Sequence, residues 1–300
     1  MSKQSSAWGL LAALTGLNVL NFADRFLLIA FSTAIVPELG LSNLQFGLLT
    51  GIVFVIVYSV FGLFAGALAD RVHRGKLIAV GLALWSGLTA LTGLAKSFTQ
   101  IALPRMLIGV GEACLTPAAM TLLSERLPAS RRALATGIYY MGYPLGIGGS
   151  FIFAGIVGPT LGWRGGFMIL GALGVVAALL VWFFMRDPSR ERGVGGLPRA
   201  KAAPLSQSYH GIKAELRHNR AFRLTLLGGV FLGFSLGAGV LDLLWWVHER
   251  GYAQAEGQKL LGTLFLLGGT FGAFFGGAGA DWAHAKFGMG GRLKFLAATI

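Results

Sequence analysis

Cysteine is almost absent from this chain of 300 residues: Cys114 is the only one, so no intramolecular disulfide can form. It stands inside an apolar run and reads as a small core residue. Histidine is nearly as sparse. His73, His210, His218, His248 and His284 are scattered over loops and helix ends without metal-ligand spacing, and no metal site is expected. Charge is scarce too: Asp, Glu, Lys and Arg make up 12% of residues against about a quarter in soluble domains, while 55% are hydrophobic. A soluble fold could not hide so much apolar surface, so most of the chain belongs in lipid. Acids are outnumbered, 12 against 25 bases, for a net charge of +13. The bases form no patch or ribbon that nucleic acid would need. They fall in short gaps between apolar runs, the pattern of membrane topology.

What is present in quantity is apolar sequence in runs of about 20 residues, the length that crosses a bilayer as a helix. Such runs lie near 8–36, 45–69, 77–95, 101–124, 133–158, 166–185, 221–247 and 258–280, and a ninth begins near 293. The second closes on Phe64-Ala65-Gly66-Ala67-Leu68-Ala69-Asp70, followed by Arg71, Arg74 and Lys76. The eighth closes on Phe275-Gly276-Gly277-Ala278-Gly279-Ala280-Asp281, identical at five of seven positions and again followed by bases. A recurrence at corresponding places predicts two structural halves related by an internal repeat. Residues 1–185 form a six-helix bundle on this reading, 221–300 begin a second bundle, and 186–220 are the tether between them. Within that tether, Leu205–Arg220 reads either as solvated chain or as a basic interfacial helix.

With the N-terminus placed inside, the inner loops collect 19 bases, and the outer side holds only Lys96, Arg164, Arg250 and Lys259. That asymmetry predicts a cytoplasmic N-terminus, and short loops with a basic inner face suit a bacterial inner membrane. Trp245, Trp246 and Tyr252 cluster as an interfacial belt would, with Asp242 nearby as an interfacial or gate contact. The fifth run carries Gly137, Gly142, Gly146, Gly148, Gly149, Gly155 and Gly158 with Pro144. These allow close helix packing, bending, or both.

Four ionisable groups stand at bilayer depth, where charge is expensive and usually functional. Asp24 and Arg25 lie in the first run, Arg105 and Glu112 in the fourth. At about 1.5 Å per residue, Asp24 is ~18 Å from one face and Glu112 ~16 Å, a shared level near the midplane. Arg105 is two turns from Glu112 on nearly the same helix face, while Arg25 is turned about 100° from Asp24 and points at a different partner. Two carboxylates in low dielectric do not readily ionise together, so the pair can hold and release a proton. The arginines suit a breakable salt bridge or an anionic substrate group. A static polar cluster that fixes packing is the plainer alternative.

Taken together, these stretches resemble the major facilitator transporters. Gly66-Ala67-Leu68-Ala69-Asp70-Arg71 with Arg74 and Lys76 looks like their signature loop, and Gly276–Asp281 like its echo. Glu125-Arg126 with Arg131, Arg132 and Gly137 is similar to their loop between helices four and five, and Trp163-Arg164 to the turn before helix six. His73 stands where the signature usually has glycine, with Gly75 following Arg74. Within the superfamily, Asn21-Phe22-Ala23-Asp24-Arg25, the stretch from Arg105 to Ala113 and Tyr143-Pro144-Leu145-Gly146 look like the spinster family. The resemblance implies an all-α polytopic fold of two pseudo-symmetric six-helix halves, of which this chain would be a fragment ending in helix nine. It implies a monomeric secondary transporter of lysolipids or sphingolipid-like amphiphiles, working by alternating access. Asp24 and Glu112 would be its protonation switch, and Arg25 and Arg105 would line the cavity. Asp70, Arg71, Arg74, Glu125, Arg126 and Asp281 would gate it. No cofactor is implied beyond protons as coupling ion.

Relatives of organic-anion symporters share the Asn-x-x-Asp-Arg of the first run, so a sugar-acid symporter is the alternative. An intramembrane enzyme is remote. Gly109-Val110-Gly111-Glu112 only faintly matches the Gly-x-Gly-Asp of membrane aspartyl proteases, and their Tyr-Asp partner is missing. A non-transporting sensor on the same fold is the last reading.

Overall fold

The computed structural model of the chain describes residues 3–69, 71–185, 187, 213–288 and 290–299, and among them every regular element is helical. The first crossing is α1 (Lys3–Ala30), broken at Phe31 and continued by the short α2 (Ser32–Glu38). The second joins α3 (Asn43–Thr50) to α4 (Ile52–Ala69) across Gly51. A capping box opens it: Ser42 Oγ accepts the Gln45 amide and Gln45 Oε1 accepts the Ser42 amide. The third is α5 (Arg74–Thr92). Its N-cap is His73, whose Nδ1 accepts the Lys76 amide at 3.3 Å. The imidazole thus caps the start of this helix.

The fourth crossing is α6 (Phe98–Glu112) and α7 (Leu115–Arg126), interrupted immediately after Glu112. Then come α8 (Ala129–Tyr140) and α9 (Gly142–Phe184). The apolar run over 134–184 is 51 residues long. At about 1.5 Å each it would stretch ~76 Å, more than twice a hydrocarbon core of ~30 Å. It therefore crosses twice, and Gly162 (φ 64°, ψ −178°) makes the turn. The expected gap from 158 to 166 shrinks to this one residue, because only glycine takes a positive φ without steric cost.

Beyond the tether lie α10 (Arg220–Ala238), a 3-10 turn at Gly239–Leu241, α11 (Asp242–His248), α12 (Gln254–Phe287) and α13 (Gly291–Thr299). Of the possible interfacial helix, residues 205–212 lie outside the described residues; 213–218 are helical and exposed.

Two apolar clusters make the interior of the first six crossings. One, toward the base-rich end, gathers Leu11, Leu14, Leu17, Phe54, Leu82, Trp85, Ile108 and Ala178. The other, toward the opposite end, gathers Ala23, Leu27, Phe31, Leu49, Ala95, Ile101, Ala102 and Leu170. Along α1 the first cluster stops at Leu17 and the second starts at Ala23; along α6 Arg105 falls between Ala102 and Ile108. A polar layer therefore lies at mid-depth between two oily ones. Burial of Asn18, Asn21, Asp24, Ser86, Thr89 and Arg105 marks it, and Glu112, between Ile108 and Leu115 in the chain, reaches it from within the first cluster.

Candidate functional site

Glycine contacts decide how the charged layer is assembled. A Cβ on Gly111 would lie 2.6 Å from the Gly81 carbonyl, and one on Gly81 would lie 2.7 Å from the Gly111 carbonyl, so α5 and α6 touch backbone to backbone. Gly109 meets the Tyr58 amide of α4 on another side, at 3.1 Å from where its Cβ would be. Wedged in this way, α6 delivers Glu112 into the centre of the bundle at the point where the helix breaks.

There the guanidinium of Arg25 holds Glu112. Both Nε (3.0 Å) and an Nη (2.6 Å) donate to Oε2, while Oε1 has no hydrogen-bond partner among the described residues. Glu112 is sealed off, but the Arg25 side chain keeps 20% of its surface. The rings of Phe22, Phe54 and Tyr58 surround that cation at 5.0, 4.7 and 4.6 Å. A cation boxed by aromatic faces is stabilised electrostatically, and one exposed edge leaves it room to exchange Glu112 for another anion.

Arg105 is buried and donates to the Arg25 carbonyl at 2.6 Å, its guanidinium lying 4.9 Å from the Phe54 ring. In this state it braces α1 against α6 and faces no open space. Asp24, 100° around α1, turns to α5, where the Thr89 hydroxyl sits 2.7 and 2.8 Å from its two carboxylate oxygens. Asn21 is buried one turn earlier, and its Nδ2 finds no partner among the described residues. The four sequence-derived residues thus share one layer, joined in sequence through Arg25 and in space through Glu112. Thr89 was not singled out from the sequence; a threonine inside an apolar helix carries no local signal.

Of the expected gate residues, Asp70 lies outside the described residues, and Asp281 is placed only as part of α12. Arg71 is exposed beside a groove of about 370 Å³ between α4 and α6, lined by Phe61, Phe64, Leu68, Val110 and Cys114. Arg126 lines a second groove, against Gly9, Leu10 and Ala13 of α1 and Leu180 and Phe184 of α9. Arg74 and Glu125 are paired at 2.7 Å, and Asp187 joins them: Oδ1 lies 3.7 Å from the guanidinium and Oδ2 accepts the Arg74 amide at 2.9 Å. A carboxylate on the first amide of α5 meets the positive end of the helix dipole. The contact requires Gly75, because a Cβ there would lie 2.6 Å from the Met185 carbonyl. Gly75→Ala is expected to destabilise the protein by about 1–3 kcal/mol through overpacking. Gly87→Ala, where a Cβ meets nothing within 4 Å, should be neutral or slightly stabilising in the same denaturation series.

The opposite end is closed by contacts that the sequence did not reveal. The Ala34 amide bonds Phe31, and the Ala30 carbonyl is taken by Gln258 Nε2 of α12 at 2.6 Å, in a fully buried site. Alongside, α9 and α12 meet through glycine: a Cβ on Gly148 would lie 2.6 Å from the Gly262 carbonyl, and one on Gly262 2.8 Å from the Gly148 carbonyl. Asp242 stands nearby in the chain, in the first turn of α11, and is exposed.

At the same end Glu38 accepts hydrogen bonds from Trp163 Nε1 at 2.6 Å and from Arg164, which also donates to the Ala95 carbonyl. The Trp163 bond above all holds the Glu38 carboxyl below its ordinary value; burial opposes it next in size, and the Arg164 bond and charge add to the lowering. The stabilisation is therefore complete above the ordinary value of 4.5 and is lost as pH falls through the lower folded-state value. Wild type should be more thermostable than Glu38→Gln near pH 7, and the difference should disappear once pH has fallen below the lowered folded-state value.

The profile of the Major Facilitator Superfamily matches residues 14–300. An "MFS-type efflux pump" of Mycolicibacterium smegmatis is 33% identical over 79% of this chain and 61% of its own length. The "probable sphingolipid transporter spinster homolog 1" of Arabidopsis thaliana is 27% identical over 89% and 58%. The "probable L-galactonate transporter" of Escherichia coli is 28% identical over 88% and 59%. Among solved structures, a bacterial homologue of the human lysosomal transporter spinster, inward-facing and occupied, superposes with a TM-score of 0.75 at 29% identity. That match covers 94% of this chain and 62% of the other. The chain thus spans about three fifths of the length of these proteins.

Proposed function

The chain belongs to the major facilitator superfamily, and from that premise we propose that it is part of a proton-coupled secondary transporter that moves an amphiphilic lipid by alternating access. The observation that carries this reading is the buried Arg25–Glu112 pair with its single exposed edge. A proton delivered to Glu112 weakens the pair and frees the guanidinium for the anionic head of a lysophospholipid or sphingolipid-like substrate. Phe22 and Tyr58, the partly exposed rings of the box, then offer apolar faces to the adjoining chain. Asp24, in the same layer, takes the second protonation site. The halves rock about this layer, and protonation biases which end opens.

The Gly148–Gly262 seam and the Gln258–Ala30 bond close one end. With the N-terminus cytoplasmic, as the distribution of bases favours, that end is the outer one. The state is then inward-facing, like the similar spinster homologue. Arg74, Glu125 and Asp187 hold the inner ends of helices three, four and six together. We place the protein in a bacterial inner membrane, as a monomer, with protons as coupling ion and no enzymatic step.

The name of the Escherichia coli relative favours a second reading, a proton-coupled symporter of sugar acids, in which Arg25 receives a compact carboxylate. The full-length protein in proteoliposomes, given labelled lysophosphatidylglycerol in one arm and labelled galactonate in the other, separates the two. Flux of the lysolipid that Arg25→Ala abolishes supports the lipid reading. Flux of galactonate alone overturns it in favour of the symporter.

A further inference from the structure

The Thr89 hydroxyl has three acceptors within reach and one hydrogen to give. It lies 2.7 and 2.8 Å from the two oxygens of Asp24 and 2.9 Å from the Trp85 carbonyl one turn back on its own helix. Neither Thr89 nor Asp24 has meaningful access to solvent, so water cannot make up a missing bond. A β-branched side chain in a helix is also held near fixed χ1 angles, which pins the oxygen in place and leaves only its hydrogen to rotate.

We propose that Thr89 is a positioning residue that keeps Asp24 hydrogen-bonded in both protonation states, by turning its one hydroxyl hydrogen between the carboxylate and the Trp85 carbonyl. With Asp24 ionised, Thr89 donates to the carboxylate. When the coupling proton arrives on Asp24, the new O–H donates to Thr89 Oγ1, and the hydroxyl hydrogen swings to Trp85. No covalent bond other than that of the arriving proton changes, Asp24 keeps a hydrogen bond to Thr89 in both states, and the heavy atoms stay where they are.

The balance between the two states is then set by the charges that face Asp24. These are Glu112 and Arg105 from α6 and Arg25 on α1. α5 contributes the Thr89 hydroxyl, and the second segment of α9 packs on α5 through Gly171 and Gly174, the latter against the Ser86 hydroxyl. This inference rests on the reading of Asp24 as a proton carrier and goes beyond it by naming the group that makes the change of state tolerable inside the bundle.

The test uses the full-length protein with Thr89→Val, which keeps the volume and removes the hydroxyl, and Thr89→Ser, which restores it. Two quantities are read: the pH midpoint of proton-linked flux in proteoliposomes, and the infrared band of protonated Asp24, assigned by its loss in Asp24→Asn. Valine should move the midpoint upward by roughly 0.5–1 pH unit. The ionised carboxylate loses a charge-assisted bond, the protonated one a weaker neutral bond. The infrared band should shift as well, and serine should restore both to the wild-type values. An unchanged midpoint and band in Thr89→Val overturn the role of Thr89. If flux in wild type is independent of pH, the proton-coupling reading fails, and the infrared band still decides for or against Thr89. Should the valine variant not fold, Thr89→Ala is read in the same way.

Discussion

Glu112→Ala is expected to lower stability by about 3–5 kcal/mol, the usual result of stripping a buried ion pair of one partner. The reason lies in what remains. Arg25 cannot lose its proton, and its guanidinium would stay among Phe22, Phe54 and Tyr58 with no anion in contact with it. Cation–π contacts offset only about 0.5–2 kcal/mol of that. Removing both charges should therefore cost less than removing Glu112 alone. A double-mutant cycle over Arg25→Ala and Glu112→Ala, followed by thermal unfolding in detergent, reads the coupling directly. A Glu112→Ala variant within about 1 kcal/mol of wild type would mean that the pair is solvated and carries little energy.

The other large effect is expected at the seam between α9 and α12. A side chain at Gly148 has nowhere to go: its Cβ would meet the Gly262 carbonyl at 2.6 Å and the Leu266 Cβ at 2.7 Å. Overpacking of this kind is worth about 1–3 kcal/mol. On the proposed alternating-access cycle it acts on one state only, the one in which this end is closed. Gly148→Leu should therefore shift the population away from that state by roughly 5- to 150-fold, and transport should fall with it. Leu261, buried in α12 beside the seam, provides a reporter. A Leu261→Cys variant should react slowly with a membrane-impermeant maleimide and much faster when Gly148→Leu is added. Gly149→Leu, whose Cβ meets nothing within 4 Å, should change neither rate.

Much of the fold is legible in the chain itself, because apolar runs of bilayer length and the bases between them are imposed by the membrane. The charged layer is legible for the same reason. Counting residues from the helix ends puts Asp24 and Glu112 at similar depth, and the structure brings Glu112 onto Arg25, the residue next to Asp24. The partners of these groups are another matter. Thr89 meets Asp24 across 65 positions, Arg74 meets Asp187 across 113, Trp163 meets Glu38 across 125 and Gln258 meets Ala30 across 228. Thr89, Asp187, Glu38 and Gln258 are ordinary polar residues whose roles exist only once segments far apart in sequence have packed. The one-residue reversal at Gly162 was hidden for a local reason. A glycine among many in an apolar run does not announce that it has taken a positive φ.

The most direct test of the account is proton movement in proteoliposomes that enclose a pH-sensitive dye and carry the full-length protein, with lysophosphatidylglycerol added outside. Lipid-dependent proton flux is expected in wild type and none in Glu112→Gln or Asp24→Asn. Lipid crossing with the same pH dependence in both variants would contradict it, and would leave the Arg25–Glu112 pair as a packing element of the bundle.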